Sequence, residues 1–157
     1  MSCARLEEVL RRPARAAAKL VLAFCLLSSV APHANAMTVR KDLGGSVRER
    51  IVQVAHLSQT GAQVRIVGTC ISSCTLLLGV PNACVAPSAR LGFHGPSTRQ
   101  NGLPLPRAEY ERVSLQMASL YPPQIRNWFM ATARKTTGDY ILISGKTAIA
   151  MGARACD

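Results

Sequence analysis

The stretch from Gly68 to Pro96, GTCISSCTLLLGVPNACVAPSARLGFHGP, constrains the fold more than any other part of the chain. Just before it, Gln63 to Val67 places β-branched residues at Val64, Ile66 and Val67, which predicts a short strand stopping at Gly68. Two adjacent serines follow. Cys70 to Leu78 then reads as a helix entered directly from that strand, and Leu76, Leu77 and Leu78 make it apolar all round and therefore buried. Gly79, Pro81 and Asn82 break it. Cys84 to Ala86 and Arg90 to Phe93 are short strands on either side of Pro87, and His94-Gly95-Pro96 closes the second.

The flanks fit around this centre. Met37 to Asp42 has room for a brief strand, Gly44-Gly45-Ser46 is a turn, and Val47 to Leu57 is a helix. Its apolar residues Val47, Ile51, Val54 and Leu57 recur at spacings of four and three, which makes one buried stripe. Gly61 ends this unit. Ser97 to Pro106, with Gly102, Pro104 and Pro106, is a loop placed to cover a site. A second amphipathic helix starts at Arg107 on Tyr110, Val113, Met117 and Leu120 and is stopped by Pro122. Pro123 suits the first turn of a third helix, with Ile125, Trp128, Phe129 and Ala133 inward and Gly138 at its end. The apolar run Tyr140 to Ile143 leads to Ser144, an N-cap for a last helix ending near Gly152. Strands alternating with helices predict an α/β domain.

Residues 1–36 read as a secretory signal rather than as part of the fold. Arg11, Arg12, Arg15 and Lys19 form a basic region, Leu20 to Val30 is a short apolar run, and Ala34-Asn35-Ala36 offers a small-x-small cleavage site. Phe24 before Cys25 argues against lipidation; an uncleaved membrane anchor is the alternative. Cleavage leaves residues 37–157 of the 157, enough for one domain with a single core. The chain carries 19 Lys and Arg against 8 Asp and Glu; five of the basic and two of the acidic residues precede residue 37, so the domain keeps a charge of +8. These are mostly single arginines with few aromatics among them, a solvated face rather than a nucleic-acid surface. Cys70, Cys74, Cys84 and Cys156 remain, an even count that in an exported domain reads as two disulfides with three possible pairings. The competing zinc site, Cys70, Cys74, Cys84 and His94, lacks a paired C-x-x-C knuckle. No metal or other cofactor is expected, and the compartment implied is periplasmic or extracellular.

A serine hydroxyl becomes a useful nucleophile only when a base takes its proton and fixed N–H donors meet the oxyanion. Ser72 and Ser73 stand at a strand-to-helix turn, where the first N–H groups of a helix lack internal partners. His94 lies downstream as a base. The order Gly44-Gly45-Ser46-Val47, helix, strand, Gly68-Thr69-Cys70-Ile71-Ser72-Ser73, apolar helix, then Pro87-Ser88-Ala89-Arg90-Leu91-Gly92-Phe93-His94-Gly95-Pro96 resembles the proteolytic subunit of Clp protease and its relatives in the ClpP/crotonase superfamily. The resemblance is close from Leu43 to Pro96 and loose beyond.

That resemblance implies an α/β, ClpP/crotonase-like fold shortened at its N-terminal strands. It makes Ser72, the fourth residue after Gly68, the nucleophile and His94 the general base. The N–H groups of Gly45 and Ser73 become the oxyanion hole. Asp139 is the nearest acid before Ser144-Gly145-Lys146-Thr147-Ala148, one residue further upstream than in the family, and is the expected third member. The cysteines beside the serines depart from the small residues usual there. The implied activity is that of an exported, ATP-independent hydrolase of peptides or esters, with no ATPase partner and with self-association through Tyr110 to Ala133. The alternative is a binding or scaffold protein that keeps the fold without the chemistry.

Overall fold

The computed structural model describes residues 36–98 and 105–157, so the expected signal segment lies outside the described residues except for Ala36, as does the middle of the 97–106 loop. Strand β1 (Ala36–Asp42) runs into the Gly44-Gly45 turn. Helix α1 (Val47–Gln59) begins where Ser46 Oγ accepts a hydrogen bond from the Glu49 N–H, and it ends before Gly61, whose φ of 65° reverses the chain. Val54 is buried, while Val47, Ile51 and Leu57 pack half-buried against the core, which is the stripe their spacing predicts. Strand β2 (Gln63–Ile71) follows parallel to β1.

β2 organises the sheet. One side pairs with β1; the other pairs with β3 (Ala83–Val85) along Val64 to Ile66 and with β4 (Arg90–Phe93) along Thr69 to Ile71, all parallel. β5 (Ile141–Ser144) closes the row antiparallel to β4, giving a mixed five-stranded sheet within an α/β fold. With neighbours on both sides, β2 buries Val64, Ile66 and Cys70 completely. Between β3 and β4 the chain leaves the sheet at Ala86 to Ala89. The start of helix α4 (Gly145–Ala150) fills that notch: the Gly145 N–H donates to the Ala89 carbonyl at 2.7 Å, and a side chain on Gly145 would overlap the Ala86 carbonyl.

Two expectations about the central stretch are corrected. β2 does not stop at Gly68 but runs three residues further, through Cys70 to Ile71. Glycine there ends nothing: the pairing with β1 shifts register at Arg40, whose carbonyl presses on Gly68 so closely that any side chain would overlap it. Because Cys70 and Ile71 pair with Leu91 and Gly92 of β4, the expected helix from Cys70 starts only at Ser72, and it is a 3-10 helix (Ser72–Gly79). Its residues Ser73 to Leu77 are all buried.

Helices α2 (Arg107–Ser119) and α3 (Pro123–Ala131) supply the other core face, and a 3-10 turn (Ala133–Lys135) follows α3. The aromatic residues gather under the 72–79 helix. Phe93 meets Tyr121 and Trp128 edge-on at 5.4 and 5.3 Å, and Tyr121 meets Phe129 at 5.2 Å. Each such pair is worth about 0.5–1.5 kcal/mol beyond its buried area. Tyr121 hydrogen-bonds Thr75 Oγ1 at 2.8 Å, and burial pushes its phenol well above the usual tyrosine range. The unfolded chain ionises this group near pH 10 while the folded one keeps it neutral, so the stability it contributes is complete below pH 10 and is lost as the pH rises above it. Denaturant midpoints from pH 8 to 11 are expected to fall steeply for the wild type and less steeply for Tyr121→Phe. The variant starts about 1 kcal/mol lower for want of the Thr75 hydrogen bond.

Candidate active site

The cysteines pair as Cys70–Cys74 and Cys84–Cys156, which resolves the three pairings and leaves no thiolate of the four for zinc. Among the described residues no cluster of His, Cys, Asp or Glu is suited to a metal ion. The second bridge fastens the 153–157 segment beside β3, where the Val85 and Cys156 N–H groups also donate to Arg154 and Val85 carbonyls. Disulfides of this kind fit a non-reducing compartment. No helix among the described residues is long and apolar enough to cross a membrane.

The first bridge encloses Ser72. That residue has φ 60°, and it is the one residue other than glycine with positive φ among those described. An L-residue held there costs about 1–2 kcal/mol, so the surroundings must impose it. Three contacts do so. Cys70, the last but one residue of β2, is tied to Cys74 in the first turn of the 3-10 helix. Thr75 Oγ1 donates to the Ser72 carbonyl at 2.8 Å while Tyr121 holds the same hydroxyl. Gly44 lies directly against the turn: a Cβ added to it would sit 2.5 Å from Ser72 Cβ and 2.9 Å from Ser72 Oγ. Gly44, with φ of 94°, is thus slim and twisted enough to press on the serine, whereas Gly45, with φ of 150°, has open space where a side chain would be.

A cleft of about 890 Å³ opens over this turn, and Gly45, Ser46, Ser72, His94 and Tyr140 are among its lining. Ser73 is not; its side chain is buried at 1% exposure and its Oγ has no hydrogen bond. The geometry therefore separates the adjacent serines and gives the cleft to Ser72. The Gly45 N–H lies in the turn, and the Ser73 N–H lies in the first turn of a helix, where N–H groups lack internal partners.

His94 follows β4 and is half-buried. Its Nδ1 lies 2.6 Å from the Gly95 carbonyl oxygen. A carbonyl can only accept, so Nδ1 carries the proton and Nε2 keeps the lone pair, the tautomer a general base requires. No hydrogen bond joins Ser72 to His94 among the described residues. Catalytic contacts of this type commonly close only when substrate is bound.

No hydrogen bond joins Asp139 to His94 among the described residues. Asp139 is exposed, and its Oδ1 accepts a hydrogen bond from the next residue's N–H, Tyr140, at 2.7 Å. The His94 ring bonds a main-chain carbonyl instead, and Tyr140 rather than Asp139 is among the residues lining the cleft. Sequence reasoning also passed over Gly44 as a contact of the serine and Gly95 as the partner of the histidine. The Gly-Gly pair was a visible signal for the first; a backbone acceptor leaves none. Compared with known proteins, the chain matches no protein-family model and no curated protein.

Proposed function

We propose that the chain is an exported serine hydrolase of the ClpP/crotonase type, a peptidase or esterase that acts without an ATPase partner or a cofactor. One observation carries the reading: Ser72, strained at φ 60° between a buried strand and a buried helix, stands on the wall of a cleft that it shares with His94. In the reaction, His94 Nε2 takes the hydroxyl proton as Ser72 Oγ bonds to the substrate carbonyl carbon. The oxyanion is held by the Gly45 and Ser73 N–H groups. The leaving group departs with the proton from Nε2, and water then reverses the sequence on the acyl-enzyme. Leu43, Val47, Ile71, Leu105 and Val113 make the cleft walls apolar, which suits an apolar group beside the scissile carbonyl. Residues 1–36 act as the export signal. Copies self-associate through Tyr110 to Ala133, where Leu115 is an exposed apolar side chain.

The test is labelling with a fluorophosphonate probe. Wild type and Ser73→Ala are expected to label, Ser72→Ala not at all, and His94→Ala at least about a hundredfold more slowly. Asp139→Asn is expected to label at the wild-type rate. A folded wild type that does not label sinks the hydrolase. The second reading, a binding protein of this fold, would then stand, and the absence of a Ser72–His94 hydrogen bond is the observation that favours it.

A further inference from the structure

His94 takes its tautomer from the Gly95 carbonyl, so whatever aims that carbonyl governs the base. Gly95 is buried and held by main chain on two sides. Its N–H donates to the Thr136 carbonyl at 2.8 Å, and its α-carbon faces the Arg134 carbonyl so closely that a side chain would overlap that oxygen. The residues that bear on Gly95 therefore belong to the 3-10 turn Ala133–Lys135 and its end.

That turn is itself clamped from α2. The Tyr110 hydroxyl donates to the Arg134 carbonyl, the same oxygen that packs on Gly95. A Cβ added to Gly95 would also come within 3.1 Å of that hydroxyl. The Arg134 guanidinium lies 5.7 Å from the centre of the Tyr110 ring. It donates from Nε to the Met130 carbonyl at 3.0 Å and from a terminal nitrogen to Glu111 at 2.6 Å. A planar, fork-shaped cation can make all of these contacts together, which a lysine cannot. None of Tyr110, Glu111, Arg134 and Gly95 is among the residues lining the cleft.

We propose that Tyr110 and Arg134 are positioning residues for the base: through the Arg134 and Gly95 main chain they hold the carbonyl that keeps the proton on His94 Nδ1, the task a carboxylate would otherwise perform. The inference rests on His94 being the base of the proposed reaction, but it concerns the ring itself and can be read without turnover.

The experiment records long-range proton–nitrogen spectra of the full ¹⁵N-labelled chain, with the His94 ring assigned by its loss in His94→Gln, alongside fluorophosphonate labelling rates. The wild-type neutral ring is expected to carry its proton on Nδ1. Tyr110→Phe keeps the ring and the stacked guanidinium but removes the hydroxyl; it is expected to shift the ring toward the Nε2-protonated form and to slow labelling about tenfold. Glu111→Gln releases Arg134 from the exposed side and serves as a second variant should the first not fold, with the same direction and a smaller effect. Asp139→Asn is expected to leave the spectrum unchanged. An Nε2-protonated ring in the wild type, an unchanged tautomer in both clamp variants, or a change in Asp139→Asn overturns the proposal. If the wild type shows the Nδ1 form and the clamp variants shift it while no serine labels, the positioning stands and the hydrolase reading alone fails.

Discussion

Gly44→Ala is expected to abolish the reactivity of Ser72 while leaving a folded protein. Two penalties coincide at this position. The φ of 94° is costly for any side chain, and the new Cβ would lie 2.5 Å from Ser72 Cβ, so the nucleophile turn must move. Strain of about 1–2 kcal/mol and overpacking of about 1–3 kcal/mol put the stability loss at about 2–5 kcal/mol. Reactivity suffers more than stability, since displacement of a reacting atom by about 1 Å can cost a hundredfold. Gly61→Ala is the matched control: φ is 65°, but nothing lies within 4 Å of the added carbon. That variant should lose about 1–2 kcal/mol and label normally. Equal labelling by the two alanine variants would mean that the 44–45 turn does not shape the site.

The two disulfides should separate in the opposite sense. Cys84 and Cys156 are 72 residues apart, and opening so long a loop costs about 4 kcal/mol by chain entropy; Cys70 and Cys74 are four apart, worth about 2 kcal/mol. Cys84→Ala with Cys156→Ala is therefore expected to lower the denaturant midpoint most and yet label at nearly the wild-type rate well below its transition. Cys70→Ala with Cys74→Ala is expected to keep more stability but to label at least tenfold more slowly, because the ring that holds Ser72 at positive φ is gone. If both pairs slow labelling alike, the short bridge is a general staple and not a brace for the nucleophile.

Much of this arrangement was legible in the residues. The alternation of Val64 and Ile66, the stripe of Val47, Ile51, Val54 and Leu57, and the breaks at Gly61, Pro122 and Ser144 are local signals that place where these strands and helices begin, although the strand from Gln63 runs on to Ile71 and the helix from Pro123 ends at Ala131, short of Gly138. Ser72 and Ser73 were legible as a pair at the strand-to-helix turn, and only the family resemblance singled out Ser72. What was missed depends on partners far along the chain. Gly68 reads as a stop only until Arg40 is seen pressing on it. Leu76 to Leu78 carry no periodicity, so nothing in them distinguishes a 3-10 helix from an α-helix. Asp139 was the nearest acid in sequence, but an acceptor on the main chain of Gly95 has no residue type to betray it. The cysteine pairing needs the position of residue 156, which only the completed sheet supplies.

The notch between β3 and β4 sets an order of assembly. Residues 70–74 can close their small ring as soon as they emerge into an oxidising space, whereas the notch waits for Gly145 and the second bridge for Cys156. Contacts between distant positions form late, after the entropy of closing long loops has been met. During synthesis the serine turn is therefore bracketed early, on a sheet whose far edge does not yet exist. Tyr140, which leads into the last strand, arrives only when the sheet is finished, so a partly made chain holds its serine turn before this wall of the cleft is in place.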